Sequence, residues 1–260
     1  MKDQTILFHS TIFGPVHSRR LGVSLGVNLM PSDGKICSFD CLYCEAGFNA
    51  QGAGRSGLPP RDRVAAELEQ RLAAMREAGE TLDVITFSGN GEPTLHPDFA
   101  AITGDVMRLR DIYFPEARIS VLSNSTRIFD PSVADALKRV DNNILKLDSA
   151  VEETMRLIDR PNDPAFTVER VVESLRQFAR QAVIQTMFLR GEHDGHPVDN
   201  TTDAEIDALI RAYLAIRPRE VMIYSIDRST PEENLRKVER AELERIAARI
   251  SAAGVAVQPF

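Results

Sequence analysis

Residues 35–44 read K-I-C-S-F-D-C-L-Y-C and hold Cys37, Cys41 and Cys44, all three cysteines of the 260-residue chain. Three thiolates within eight residues can wrap one face of a cubane iron–sulfur cluster and leave the fourth iron without a protein ligand. Structural zinc closes with four ligands, and no second Cys-x-x-Cys or His pair at suitable spacing supplies the remainder. A disulfide framework needs even pairing, which three cysteines do not offer. The remaining alternative is a coincidental cluster of core cysteines, which the tight spacing and isolation of the trio disfavour.

Outward from this loop, composition bounds the rest. A length of 260 residues with 43% apolar content fits a soluble globule, and no linker divides the chain, so residues 1–260 read as one domain. No apolar run approaches membrane-spanning length, and the opening M-K-D-Q-T lacks a signal-peptide pattern. The expectation is a cytoplasmic protein with no membrane partner, where free thiols and a labile cluster suit a reducing compartment. The net charge, 31 − 38 = −7, argues mildly against a large nucleic-acid footprint.

Residues 1–21 read as an N-terminal approach segment. It ends in Arg19 and Arg20, either a solvated basic pair or a contact for a carboxylate or phosphate. A first strand, Val23–Met30, delivers the chain to the cluster loop, residues 35–59. A helix from about 60 to 78 carries Val64, Leu68, Leu72 and Met75 on one face. Strands then alternate with helices: Leu82–Phe87, Ile119–Leu122, Asn143–Leu147, Val183–Leu189 and Glu220–Ile226. Residues 231–260 read as a C-terminal helix followed by a short, marginal strand. Strand–helix alternation repeated six times implies parallel strands joined by right-handed crossovers. Six units are too few for a closed eightfold barrel, so the expected fold class is α/β, an open (β/α)6 partial TIM barrel.

The pattern C-x-x-x-C-x-x-C, with an aromatic before the last cysteine, resembles the signature of the radical S-adenosylmethionine (SAM) superfamily. The resemblance implies a [4Fe-4S] cluster on Cys37, Cys41 and Cys44, SAM on the open iron, and hydrogen-atom abstraction by a 5′-deoxyadenosyl radical. It also implies an electron donor such as flavodoxin or ferredoxin, and Tyr43 beside the adenine. In parallel α/β barrels functional groups collect where strands run into the following loops. The second strand ends in S-G-N-G-E-P-T, where Gly89 and Gly91 permit a sharp turn and Glu92 offers a carboxylate. This looks like the Gly-Gly-Glu motif that holds the SAM amino group, with Asn90 replacing the first of the adjacent glycines. Ser123 and Asn124, ending the third strand, are candidates for the ribose or carboxylate of SAM. Lys146 and Asp148 alternate onto one face of the fourth strand, paired with each other or with a ligand. Gln185, Met187, Tyr224, Asp227 and Arg228 either border substrate or fill the barrel. The loop G-E-H-D-G-H, residues 191–196, reads as a mobile polar loop rather than a metal site.

The runs G-P-V-H-S-R-R-L-G-V-S-L-G-V-N-L, S-G-N-G-E-P-T-L-H-P, K-L-D-S-A-V-E-E-T-M-R-L-I-D-R-P, I-Q-T-M-F and I-Y-S-I-D-R-S-T-P are similar to the subgroup that includes the tRNA wyosine (4-demethylwyosine) synthases. Those synthases carry additional cysteines for a second cluster and basic surfaces for tRNA; this chain has neither. The expectation is a short bacterial-type relative acting on a small anionic molecule or a peptide. The rivals are a tRNA-modifying enzyme, a glycyl-radical activase and, outside catalysis, an iron–sulfur redox sensor.

Overall fold

An antiparallel hairpin opens the sheet: β1 (Ile12–Ser18) turns back into β2 (Gly22–Val27). The turn is held by Ser18 Oγ, which accepts from the amides of Arg20 and Leu21 at 3.3 and 3.1 Å. The structure is a computed structural model describing residues 6–18 and 20–260, so Arg19 lies outside the described residues. The segment expected to be a mere approach to the barrel thus contains a strand. Its backbone pairs on one side only, and Pro15 and the mixed exposure along it hide the alternation that marks a strand.

The cluster loop follows β2, and α1 (Arg61–Glu77) then buries Val64, Leu68, Leu72 and Met75 as its spacing predicts. Next come β3 (Val84–Phe87), α2 (Phe99–Tyr113), β4 (Arg118–Ser123), α3 (Pro131–Arg139) and β5 (Asn142–Lys146). The chain continues through α4 (Glu152–Asp159), α5 (Val168–Leu175), β6 (Val183–His193), β7 (His196–Asp199), α6 (Asp203–Ile216) and β8 (Glu220–Ser225). It closes with β9 (Arg236–Lys237), α7 (Arg240–Ala252) and β10 (Val257–Pro259).

The strand order is β1-β2-β3-β4-β5-β6-β8-β10, with β2 to β8 along this path parallel and β10 parallel to β8. β1 and β10 form the two edges of the path, so the sheet stays open and the architecture is the six-unit partial barrel. All four residues of β3 are buried, as a parallel strand covered on both faces requires.

Two expectations need correcting at the far end. Residues 231–239 are not the start of the last helix, because Arg236–Lys237 pairs antiparallel with β6 and the Val238 amide donates to Ser225 Oγ at 2.7 Å. Tertiary pairing overrides the helix-forming composition of that stretch. The polar segment 191–196 is also ordered. β6 runs on to His193, the chain turns through Asp194 and Gly195, and β7 returns along it.

Candidate cluster and cofactor site

The cysteine loop is stitched to the barrel on two sides. Toward β3, the Ile36 amide donates to the Asn90 carbonyl at 3.1 Å and the Glu92 amide to the Ile36 carbonyl at 3.1 Å, a parallel bridge between Ile36 and Gly91. Toward α4, the Asp40 amide donates to Asp159 O at 3.1 Å and the Leu42 amide to Ile158 O at 3.0 Å. Asn162 adds its amide to Ser38 O and its side chain to Cys37 O, at 2.9 and 3.1 Å. Inside the loop, buried Lys35 donates to Gly47 O at 2.7 Å, and Asp40 Oδ1 accepts from the Asn49 amide at 2.6 Å. Backbone bonds from both flanks hold the three cysteines where the strands end.

Cys41 is buried, and Cys37 and Cys44 are half-buried. Burial pushes the Cys37 thiol up to about 11, helped by the Glu92 charge, and burial lifts Cys41 well above the ordinary thiol range. Two donors face the sulfurs: Lys146 Nζ lies 2.9 Å from Cys41 Sγ, and Asn124 Nδ2 lies 3.5 Å from Cys37 Sγ. Among the described residues no three His, Cys, Asp or Glu side chains converge to hold a single ion. Three thiolates with no fourth protein ligand are the donor set of a cubane with one open iron, and hydrogen bonds to the sulfurs are one of the levers that tune such a cluster. The residues present therefore fit a [4Fe-4S] group rather than a lone ion.

Lys146 is the hub beneath the loop. Its ammonium sits 2.7 Å from Asp159 Oδ1 and 3.1 Å from Asp148 Oδ2, and 4.7 Å from the centroid of the Tyr43 ring. Burial opposes the charge on Lys146, but Asp148 and Asp159 hold it protonated well above its usual range. Burial pushes Asp159 up to about 8 against the pull of Lys146. Asp148 also accepts from the Tyr43 hydroxyl and, at 2.8 Å, from the Met187 amide. The expected Lys146–Asp148 pair is present, and its carboxylate is already occupied by protein donors.

The turn after β3 is also built from internal bonds. Asn90 is completely buried: its Nδ2 donates to Phe8 O and Pro31 O at 2.9 and 2.8 Å, and its Oδ1 accepts from the Phe8 amide at 2.8 Å. Glu92 Oε1 accepts from the Thr94 amide and hydroxyl at 3.1 and 2.5 Å, and Oε2 accepts from the Asn124 amide at 2.7 Å. Burial raises the Glu92 carboxyl above its ordinary range. These two side chains brace the turn through bonds within the protein. Ser123 Oγ accepts from the Ser125 amide at 3.1 Å, and Asn124 Nδ2 also reaches Ser38 Oγ at 3.0 Å, so the end of β4 meets the cysteine loop directly.

The Radical SAM superfamily model matches residues 32–203, from just before the cysteine loop to the start of α6. The chain belongs to the Radical SAM superfamily. A radical SAM enzyme uses a [4Fe-4S] cluster and SAM, and needs a reductant. A UPF0026 protein from Methanocaldococcus jannaschii is 33% identical over 183 residues, covering 68% of this chain and 53% of that protein. The chain spans 34%, 53% and 65% of the length of the first three curated relatives it matches. Among solved structures, a radical SAM methyltransferase from Sphaerobacter thermophilus has a TM-score of 0.64 at 16% identity, covering 91% of this chain and 65% of that one. A structure of TYW1 with a lysine–pyruvate adduct bound has a TM-score of 0.57 at 15% identity, covering 88% of this chain and 73% of that one. At such identities the likeness is one of fold. Among the described residues no helix is long and apolar enough to cross a membrane.

Several residues of this radical SAM site went unread in the sequence. Asp159 and Asn162 flank the R-P pair after α4 and hold both Lys146 and the cysteine loop. Asn28 Oδ1 accepts from the Asn90 amide at 3.1 Å. Asn200 donates to Asp148 O and Met187 O at 2.8 and 2.7 Å. His193 Nδ1 lies 2.6 Å from Glu232 Oε2 and His196 is exposed, an ordinary strand-turn arrangement. Arg228 pairs with Glu45 and Asp227 with Lys237, both at the exposed rim.

Proposed function

We propose that the chain is a single-domain, single-cluster radical SAM enzyme of the cytoplasm. Cys37, Cys41 and Cys44 hold the [4Fe-4S] cluster, and the open iron takes SAM. The observation that carries this reading is the Ile36–Gly91 bridge, which fuses the cysteine loop to the Gly-Asn-Gly-Glu turn. When bound, the cluster and SAM supply one-electron cleavage of SAM and hydrogen-atom abstraction from substrate.

The protein's own residues orient and insulate. The backbone of Gly89–Glu92 forms the shelf for the SAM amino group, and Ser123 and Asn124 line the next strand end. Tyr43, held by Asp148, presents its ring beside the adenine. Lys146 places a positive charge against the Cys41 sulfur, which favours the electron-rich form of a cluster ligated there. Phe39, buried beside Phe166, keeps water from the loop.

Within the superfamily the sequence motifs support a place near the wyosine synthases. The substrate we infer is a small molecule or peptide rather than tRNA. Acids outnumber bases by seven, and Arg61, Arg63, Arg110, Arg190 and Arg249 are each matched by carboxylates rather than gathered into a phosphate-binding face. The test is release of 5′-deoxyadenosine by the anaerobically reconstituted protein with SAM and dithionite. Turnover that is abolished by Cys41→Ala supports the reading, and no SAM cleavage with a full cluster overturns it. Saturable binding of bulk tRNA tighter than about micromolar at physiological salt would restore the tRNA reading.

A further inference from the structure

We propose that Arg20, which reaches from the β1–β2 turn to the Tyr224 ring across the gap between the two edges of the open sheet, anchors a carboxylate of the substrate. This rests on the radical SAM reading and names the chemistry its substrate must carry.

Arg20 lies in the β1–β2 turn, and its guanidinium carbon is 4.9 Å from the centroid of the Tyr224 ring. Both residues are half-buried and reach solvent. Tyr224 is at the end of β8, in register with Met187 of β6, while Gln185 of β6 is in register with Lys146 of β5. Gln185, Asp148, Lys146 and Arg20 all lie close enough to the Tyr224 phenol to act on it electrostatically. An anion on Arg20 would therefore sit about one aromatic ring away from the network beneath the cysteine loop.

Apart from Arg170, which rests on the Phe129 ring, the other cations near the strand ends are already matched. Lys146 lies between Asp148 and Asp159, Lys35 bonds Gly47 O and faces Asp40, and Arg160 also faces Asp40. Arg190 is held by Asp199 and Glu242, and Arg228 by Glu45. Arg20 differs. Among the described residues no carboxylate lies within ion-pair distance of it, and its recorded side-chain partner is an aromatic ring. A guanidinium resting on a ring keeps its N–H edge free for a bidentate acceptor, and this planar fork matches a carboxylate. Among the described residues this turn offers one unmatched positive charge, which balances a monoanion, whereas a phosphate dianion would leave one charge uncompensated in a half-buried site. Met187 and Tyr224 supply an apolar wall for the remainder of the ligand.

Calorimetric titration of the cluster-loaded, SAM-bound protein with benzoate tests this, with inorganic phosphate as the second arm. The expected result is saturable one-to-one benzoate binding, with phosphate weaker. Arg20→Gln should weaken benzoate about ten- to a hundredfold, the loss of a charge-assisted pair. Arg20→Lys should recover part of that loss, and Arg55→Gln, in an exposed loop, should bind as the parent does. Tyr224→Leu removes the platform and should also weaken binding, which keeps the proposal testable if Arg20→Gln misfolds. Equal affinity in Arg20→Gln, absence of saturable benzoate binding, or tighter phosphate binding would overturn it. Release of 5′-deoxyadenosine by the parent protein reports separately on the radical reading, so failure of either is distinguishable.

Discussion

The carbonyl oxygen of Ile36 occupies the place where a side chain on residue 91 would begin. A Cβ built on Gly91 would lie 1.8 Å from it, and Gly91 has φ +138°, a conformation that side chains rarely adopt. The cysteine loop and the Gly89–Glu92 turn are thus one backbone unit, joined one residue before Cys37. Gly91→Val should force the loop away from β3 and lower the iron bound after anaerobic reconstitution, as well as abolishing SAM cleavage. Gly104→Ala, in α2 with open space around it, should bind iron as the parent does. Full iron loading in Gly91→Val would show that the bridge is dispensable for the cluster.

Lys146→Met should be strongly destabilising, because it strands Asp148 and Asp159 without their shared cation. Breaking a buried pair from one side costs about 3–5 kcal/mol. Adding Asp159→Leu to Lys146→Met should recover part of that loss, since one of the two stranded buried carboxyl groups is then gone. Denaturant unfolding of the single and double variants measures both. Equal stability of parent and Lys146→Met would contradict the hub.

Much of this fold was legible because its six central strands are short apolar runs bounded by turn residues, and their alternation with helices admits few topologies. The cysteine trio was legible from spacing alone. β1 was not, since an edge strand with Pro15 and exposed positions carries no clean period. β9 was not, since its pairing with β6 is made by tertiary contact. In the site, Asn90 and Glu92 stood out as ligand candidates by their position between and after two glycines. Apart from the local bonds of Glu92 to Thr94, their partners are Phe8, Pro31 and Asn124, which are 82, 59 and 32 residues away and carry no local signal. Asp159 escaped for the same reason, because α4 intervenes before the chain returns to Lys146.

Glu92→Gln should be costly despite its near-identical shape. Every group facing the carboxylate donates, namely the Thr94 amide, the Thr94 hydroxyl and the Asn124 amide. An amide NH2 placed against one of these leaves a buried donor unsatisfied, a loss of about 1–3 kcal/mol. For a chain of this size the melting temperature should fall by roughly 3–10 °C. A melting curve superimposed on the parent's would mean that the carboxylate is not the strut between β3 and β4.

Asn90→Ala should release the N-terminal segment, whose Phe8 amide and carbonyl both bond the Asn90 side chain. Limited proteolysis should then cut near Phe8 faster than in the parent, with iron binding less affected than in Gly91→Val. An unchanged cleavage rate would assign the anchoring of that segment to other contacts.

The central claim is that three cysteines hold a cluster whose fourth iron is open to SAM, and electron paramagnetic resonance of the reduced protein tests it most directly. The parent, reconstituted anaerobically and reduced with dithionite, should show a [4Fe-4S]+ signal whose g-values shift when SAM is added, as the open iron gains a ligand. Cys37→Ala, Cys41→Ala and Cys44→Ala should each lack that signal. A signal that SAM leaves unmoved, or stoichiometric zinc in place of iron, would contradict the account.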